Sequence, residues 1–365
     1  MQVFHNPDHA RHNPSKFINR GQAKANPEVP ERGRIFLDAV TAGGHVVQNP
    51  PKFGLAPVRR VHDVGYLEYL ETAWALWSAQ ADYAPEIIPN IHPGRNMATK
   101  PTDIIGLAGY YQTDTACPIS PATWDAARAA ADSALAAADH VLAGRAGEAY
   151  ALCRPPGHHA YHDMAGGFCF LNNSAIAAQY CRDQGADRVA ILDVDVHHGN
   201  GTQGIFYDRD DVLTVSLHGD PATFYPYFAG YAEETGRGAG TGFNLNLPQP
   251  RGTGDVRFLA ALDGALNRVA DFKPDILVLA LGLDASEADP LAFLAITTDG
   301  FARIAAAVAD RRWPTVLVQE GGYISPQLGT NLTRFLGAFE TARLSPAAAG
   351  RAPTCRAGAR TMSRP

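Results

Sequence analysis

The sequence predicts an α/β fold in one domain, with a central parallel sheet covered by helices on both faces. Two observations carry this reading. Short, nearly continuous apolar runs recur along the chain, as expected of strands buried on both sides. Ala-rich stretches of helical pattern lie between them, and alternation of strands with helices implies parallel pairing. Hydrophobic residues make up 46% of the 365 and charged residues 19%, so one large core is affordable.

The opening segment MQVFHNPDHARHNP reads as a strand entering a polar loop. It has no apolar region of the kind a secretory signal needs. The clearest helix is PATWDAARAAADSALAAADHVLAG, with Pro121 near its start and Gly144 as its stop. The run EAYALC, beginning at Glu148, follows as a strand. NNSAIAAQYCRDQG then reads as a helix, and RVAILDVDV and DVLTVSLH as strands. The helix GDVRFLAALDGALNRVADF, the strand DILVLALGL, the helix TDGFARIAAAVADRR and the strand TVLVQEGG complete the pattern. Residues 77–116 are rich in Pro and polar side chains and lack clear periodicity, so they are expected to form a surface insertion. From Ser345 onward the chain has little to bury and no acidic residue, so 345–365 is expected to be a disordered tail after a domain spanning 1–344.

The bulk properties exclude some functions. The net charge is -6 and no long basic run interrupts the body of the chain, so nucleic acid is not an expected partner. No segment approaches the apolar length of a membrane span. Cys117, Cys153, Cys169, Cys181 and Cys355 form no CxxC pair, which suggests reduced thiols and a cytoplasmic location.

The chemistry gathers in four segments: RPPGHH at Arg154–His159, DVDVHHGNGTQ at Asp193–Gln203, LGLDASEADP at Leu281–Pro290 and EGGY at Glu320–Tyr323. In parallel sheets ligands bind at the carboxyl ends of strands, and these segments sit at or just past such ends. Asp195 and His197 are two apart on a strand end, so they can face one ion, with Asp284 joining from a neighbouring strand. Three protein ligands leave room for water and substrate, and an Asp/His/Asp set suits Zn²⁺, Fe²⁺, Co²⁺ or Mn²⁺. His158 and His159 have candidate partners in Asp193 and Asn200. A carboxylate stabilises imidazolium more than an amide does, so the histidine on Asn200 is the better general base. Gly321 and Gly322 permit a sharp loop that could aim the Tyr323 hydroxyl at a substrate carbonyl. Gly167 and Phe168 in GGFCF, and Tyr225 in PATFYPYF, are candidate channel positions, with Gly321 counted among the substrate-binding residues. Together these parts suit hydrolysis of an amide by metal-activated water.

In combination the segments resemble the histone deacetylase superfamily, with its arginase–deacetylase fold. NPEVPERGRIFLDAV and VHDVGYLEYLE resemble its N-terminal segments, so the likeness runs from near residue 5 to about residue 340. KPTDIIGLAGYY, CRPPGHHAYHDMAGGFCF and SLHGDPATFYPYFAGYAEETGRGAG are most similar to the bacterial acetylpolyamine amidohydrolase branch. The resemblance implies a deacetylase catalytic domain over 1–344, with Zn²⁺ held by Asp195, His197 and Asp284. It implies His158 and His159 as the tandem pair, with Asp193 and Asn200 as partners and His159 as main base and acid. It also implies carbonyl polarisation by Tyr323, channel walls at Phe168 and Tyr225, and a structural K⁺ near Asp193, Asp195, His197 and Ser216. A small acetylated amine would be the substrate, and the 77–116 insertion would narrow the channel in a homodimer. Asp114 is a candidate for meeting a cationic amine.

Two alternatives stay open: the same chemistry on acyl-lysine in proteins, and a non-catalytic binding module that keeps the fold. An arginase-type pair of Mn²⁺ ions is disfavoured, because Ala285-Ser286 follows Asp284 where a second carboxylate would be needed.

Overall fold

The computed structural model describes residues 1–345; residues 346–365, which include Cys355 and nearly all of the expected tail, lie outside the described residues. Ten strands are formed: β1 (Gln2–Phe4), β2 (Lys16–Asn19), β3 (Gln22–Ala25), β4 (Val46–Gln48), β5 (Glu148–Ala151), β6 (Val189–Asp193), β7 (Val212–Gly219), β8 (Asn244–Gln249), β9 (Ile276–Leu281) and β10 (Thr315–Gln319). Eight build one sheet in the order β4-β1-β5-β10-β9-β6-β7-β8, and every pairing in it is parallel. β2 and β3 form a separate antiparallel hairpin.

All five apolar runs singled out in the sequence became strands β5, β6, β7, β9 and β10. Their side chains alternate between two cores, as strands covered on both faces must. Val189 and Ile191, Ile276 and Val278, and Val316 and Val318 join the core on one side. Ala190 and Leu192, Leu277 and Leu279, and Leu317 join the core on the other. The edge strand β8 was not legible, because Asn244 and Asn246 break its apolar pattern.

Nine α-helices cover the sheet among the described residues: α1 (Pro30–Ala42), α2 (Val64–Ser78), α3 (Ile104–Tyr110), α4 (Thr123–Leu142), α5 (Asn173–Asp183), α6 (Asn200–Phe206), α7 (Asp255–Phe272), α8 (Thr298–Ala309) and α9 (Leu328–Leu344). α2 to α5 contribute to the first core, and α1, α7, α8 and α9 to the second. α4 is buried along nearly its whole length, and its alanines let it lie close to the sheet and α5. Gly144 adopts φ +65°, so the expected stop is present just beyond the helix.

The stretch 77–116 is only partly a surface insertion. Trp77 belongs to α2, and residues 79–103 carry no helix or strand. Ile87 anchors the irregular part in the first core, and Ile104 and Ala108 of α3, with Tyr111 just past it, are buried there too.

The order of the sheet positions the site. The strands preceding the four chemical segments are β5, β10, β9 and β6, which are consecutive neighbours in the middle of the sheet. Their carboxyl ends therefore lie side by side.

Candidate active site

At the end of β6 the chain is held by its own carboxylates. The amide of Asp195 donates to Asp193 Oδ1 at 3.0 Å, and the amide of His197 to Asp195 Oδ1 at 2.9 Å. Asp284, just past β9, accepts the amide of Val196 at 3.0 Å. Asp195 Oδ2 also accepts the amide of Gly321, after β10, at 2.8 Å. The first two contacts shape the end of β6, and the last two fix it against the ends of β9 and β10.

The result is a buried cluster. Asp195 Oδ1 and Asp284 Oδ2 each stand 3.2 Å from Nδ1 of His197. Ligand atoms of all three residues fall within 4.8 Å of one another. Burial opposes charge on the His197 ring, but hydrogen bonds to Asp195 and Asp284 outweigh it and push the ring up to about 9. The two carboxylates thus demand a positive charge between them. Two carboxylate oxygens and one imidazole are a donor set that a divalent ion of borderline hardness accepts, so these residues fit a resident metal.

Glycine is required beside this cluster. A Cβ on Gly321 would lie 2.0 Å from Asp284 Oδ2 and 2.5 Å from Asp195 Oδ2. A Cβ on Gly282 would lie 2.1 Å from Asp195 Oδ2. The lack of a side chain at Gly321 makes room for the carboxylates.

The tandem histidines lie in the turn after β5, with ring centroids 4.0 Å apart, and they have different partners. His158 Nδ1 is 2.9 Å from Asp193 Oδ2, whereas His159 Nδ1 is 2.6 Å from Asn200 Oδ1. Asn200 Nδ2 donates to the Tyr161 hydroxyl, which orients the amide with its oxygen toward the ring. His159 must then carry its proton on Nδ1, leaving Nε2 as an acceptor. Burial works against charge on both rings. For His158 the carboxylates of Asp195 and Asp193 reverse the effect and raise it to about 10. For His159 the neighbouring positive charges of His158 and His197 add to burial, and its pKa falls well below the usual value. Adjacent residues are therefore biased toward opposite protonation states.

His159, His197 and Tyr323 line the floor of one cavity of about 500 Å³, and Gly167, Phe168 and Tyr225 line its walls. Gly167 has φ +52°, and a Cβ there would lie 2.3 Å from the His159 ring. Its amide donates to Asp114, as does the Tyr225 hydroxyl at 2.6 Å. Phe168 packs edge-on against both Tyr323 and Phe17 of β2.

Residues 26–339 match the histone deacetylase domain. The chain belongs to this family. It is 46% identical to the acetylpolyamine amidohydrolase of Burkholderia pseudomallei over 344 residues, which is 94% of this chain and all of that protein. Identity to the acetylpolyamine amidohydrolase of Mycoplana ramosa is also 46%, over 92% of this chain and 98% of the relative. A crystal structure of the Burkholderia pseudomallei acetylpolyamine aminohydrolase superposes with a TM-score of 0.91, covering 94% of this chain and 99% of the other.

In this histone deacetylase-family chain the residues expected from sequence lie in and around the cavity, with Gly321 beside the carboxylates. Sequence reasoning missed those that hold them. Glu320 accepts the amides of Gly157 and His158 at 2.6 and 3.1 Å and the Ser174 hydroxyl at 2.7 Å, so it anchors the histidine turn. Glu28 sits between two buried guanidiniums, Arg32 at 2.6 Å and Arg154 at 2.8 Å. Arg32 also donates to the carbonyls of Glu320 and Gly322 and lies over the Tyr323 ring at 4.7 Å. Asp289 accepts the amide of Tyr323 at 2.7 Å. Each of these lies inside a quoted segment, but nothing local marks it as buried.

Proposed function

We propose that the protein is a zinc-dependent deacetylase that hydrolyses the acetyl amide of small acetylated amines such as acetylpolyamines. The observation that carries the reading is His159, whose Nδ1 is held by Asn200, lining one cavity with Tyr323 and with His197 of the Asp195/His197/Asp284 cluster. The relatives named acetylpolyamine amidohydrolase, which match across nearly their whole length, support the substrate class.

Asp195, His197 and Asp284 would hold the ion; bound there, Zn²⁺, or Fe²⁺, Co²⁺ or Mn²⁺ in its place, polarises the amide carbonyl and lowers the pKa of water. His159 takes a proton from water at Nε2 and passes it to the leaving nitrogen, while Asn200 keeps the other ring nitrogen protonated. His158, charged beside Asp193, supplies positive potential to the developing anion. The Tyr323 hydroxyl donates to the carbonyl oxygen as charge builds on it. Gly167, Phe168 and Tyr225 enclose the linear part of the substrate and exclude water.

A structural K⁺ near Asp193, Asp195, His197 and Ser216 belongs to the same reading; the pairing of Asp193 with Ser216 in the sheet supports it. So does a homodimer through the 77–116 stretch, which exposes Tyr83, Ile91 and Met97. Buried free cysteines at four positions support a reducing, cytoplasmic setting. A monomer by light scattering would defeat the dimer.

The deciding experiment is acetate release from zinc-loaded protein, with acetylputrescine and acetylspermidine set against an acetyl-lysine peptide. Fast turnover of the small amines that collapses in Tyr323→Phe is the expected result. Preference for the peptide would move the function to protein deacylation, and no turnover of any would sink the enzyme reading.

A further inference from the structure

The walls of the cavity come from distant parts of the chain, and one carboxylate reaches both. Asp114 is half-buried between them and is the one acidic residue in the lining among the described residues. Its Oδ2 accepts from the Tyr225 hydroxyl at 2.6 Å and from the Gly167 amide at 3.1 Å. Its Oδ1 accepts from the Ala116 amide at 2.7 Å. The Thr113 hydroxyl and the Cys117 thiol stand 3.4 and 3.7 Å from the same carboxylate. Every partner is a donor, and both oxygens are engaged. A carboxylate accepts on both oxygens, whereas an amide offers one acceptor and would set an N–H against one of these donors. Most of the acceptor capacity of Asp114 is thus taken up inside the protein.

One of the two walls is strained. Gly167 and Phe168 are the central residues of a tight turn, closed by the Gly166 amide on the Cys169 carbonyl at 3.1 Å and by the reverse bond at 2.8 Å. Both have positive φ, 52° and 69°, as this kind of turn requires. Glycine takes that conformation freely. A phenylalanine there is an outlier that persists only where its surroundings over-determine it. Asp114 supplies part of that constraint through the Gly167 amide. The segment carrying Asp114 is itself fastened to the turn. The Thr113 amide donates to the Ala165 carbonyl at 2.7 Å, and a Cβ on Gly166 would lie 2.1 Å from the Thr113 hydroxyl oxygen. Each end of the bridge also touches a reacting group. Phe168 meets Tyr323 edge-on with ring centroids 5.8 Å apart, and the Tyr225 ring stands 5.0 Å from that of His159 at 88°.

We propose that Asp114 is a positioning residue that clamps the Gly167–Phe168 turn to Tyr225, so that the channel between them admits an unbranched chain and excludes one branched beside the amide nitrogen. The proposal rests on the deacetylase reading and deepens it. The substrate class becomes a linear amine acetylated on a terminal nitrogen, which includes the acetylpolyamines. Asp114 acts through the walls and not by meeting the far ammonium of the substrate, so its effect is the same on charged and uncharged chains of equal length.

The test measures kcat and KM of the zinc-loaded protein and its D114N variant on three acetamides. They are acetylputrescine, an uncharged N-alkylacetamide of equal length, and the isomer of that alkylacetamide branched at the carbon bonded to nitrogen. The unaltered protein should favour the linear isomer over the branched one by about tenfold or more. D114N should lower kcat/KM for both linear substrates by one common factor, about ten- to a hundredfold and mostly in kcat, because the walls no longer hold the chain in line with His159 and Tyr323. It should also narrow the linear-to-branched ratio severalfold. Should D114N fold poorly, Y225F removes one tie while keeping the ring, and the same ratios move in the same direction at reduced size. A loss confined to acetylputrescine and carried by KM would overturn the clamp and make Asp114 an ammonium receptor. A loss that leaves the linear-to-branched ratio unchanged would overturn it as well, and in both cases the deacetylase would stand. No turnover of any substrate by the unaltered protein would overturn both readings.

Discussion

The floor of the cavity and its mouth handle charge in opposite ways. Beneath the floor, Asp193, Asp195 and Asp284 are almost wholly buried, and each accepts a backbone amide. Two buried guanidiniums behind it share Glu28. In the cavity lining at the surface, Arg20, Lys24 and Arg251 are exposed, with no carboxylate at ion-pair distance among the described residues. Buried charge costs several kcal/mol unless paired, so the floor has little freedom to vary. Exposed charge is inexpensive, so the mouth is where selectivity can change without loss of fold.

Substitutions should respect that division. The largest effect belongs to the cluster: Asp284→Ala should lower kcat/KM about a thousandfold or more, with loss of bound metal measured by elemental analysis. Retention of both would remove Asp284 from the metal site. Next, Glu28→Ala leaves Arg32 and Arg154 buried without their carboxylate, and stability should drop by about 3–5 kcal/mol in denaturant unfolding. A change under about 1 kcal/mol would show that the floor tolerates unpaired charge as the mouth does. Tyr323→Phe should cost about a hundred- to a thousandfold in kcat with an unchanged melting temperature.

Asn200→Asp tests the asymmetry of the histidines. With Asn200 the pKa of His159 lies well below the ordinary range, so the ring stays neutral and basic as pH falls through neutrality. A carboxylate on Nδ1 favours the charged ring and raises that pKa. The base is then lost earlier on acidification, and the acid limb of the pH–rate profile should move up by about one unit. A limb that stays in place would assign the base to another group.

The parts of this comparison were unequally legible in the sequence. Apolar runs gave the central strands, and the spacing of Asp195, His197 and Asp284 pointed to one ion. Local pattern could not give the neighbours of each strand, because β10 pairs with β5 and β9 across long sequence separations. Glu28 and Glu320 read as ordinary charges until the fold buried them. Asp289 showed only as one more acid in LGLDASEADP, and its bond to the Tyr323 amide depends on two loops meeting. The polar edge strand β8 and the irregular stretch 79–103 lacked a period to read.

One feature of the sheet has a bearing on synthesis. β10 lies between β5 and β9, yet Thr315–Gln319 is made after both. Until it leaves the ribosome, any β5 and β9 already formed carry open edges toward a vacant slot in the middle of the sheet. Unpaired edges recruit other chains. A nascent chain stalled before residue 315 would therefore have no site, since Gly321 and Tyr323 are missing, and would expose its stickiest surface at the place where the finished molecule is most deeply buried.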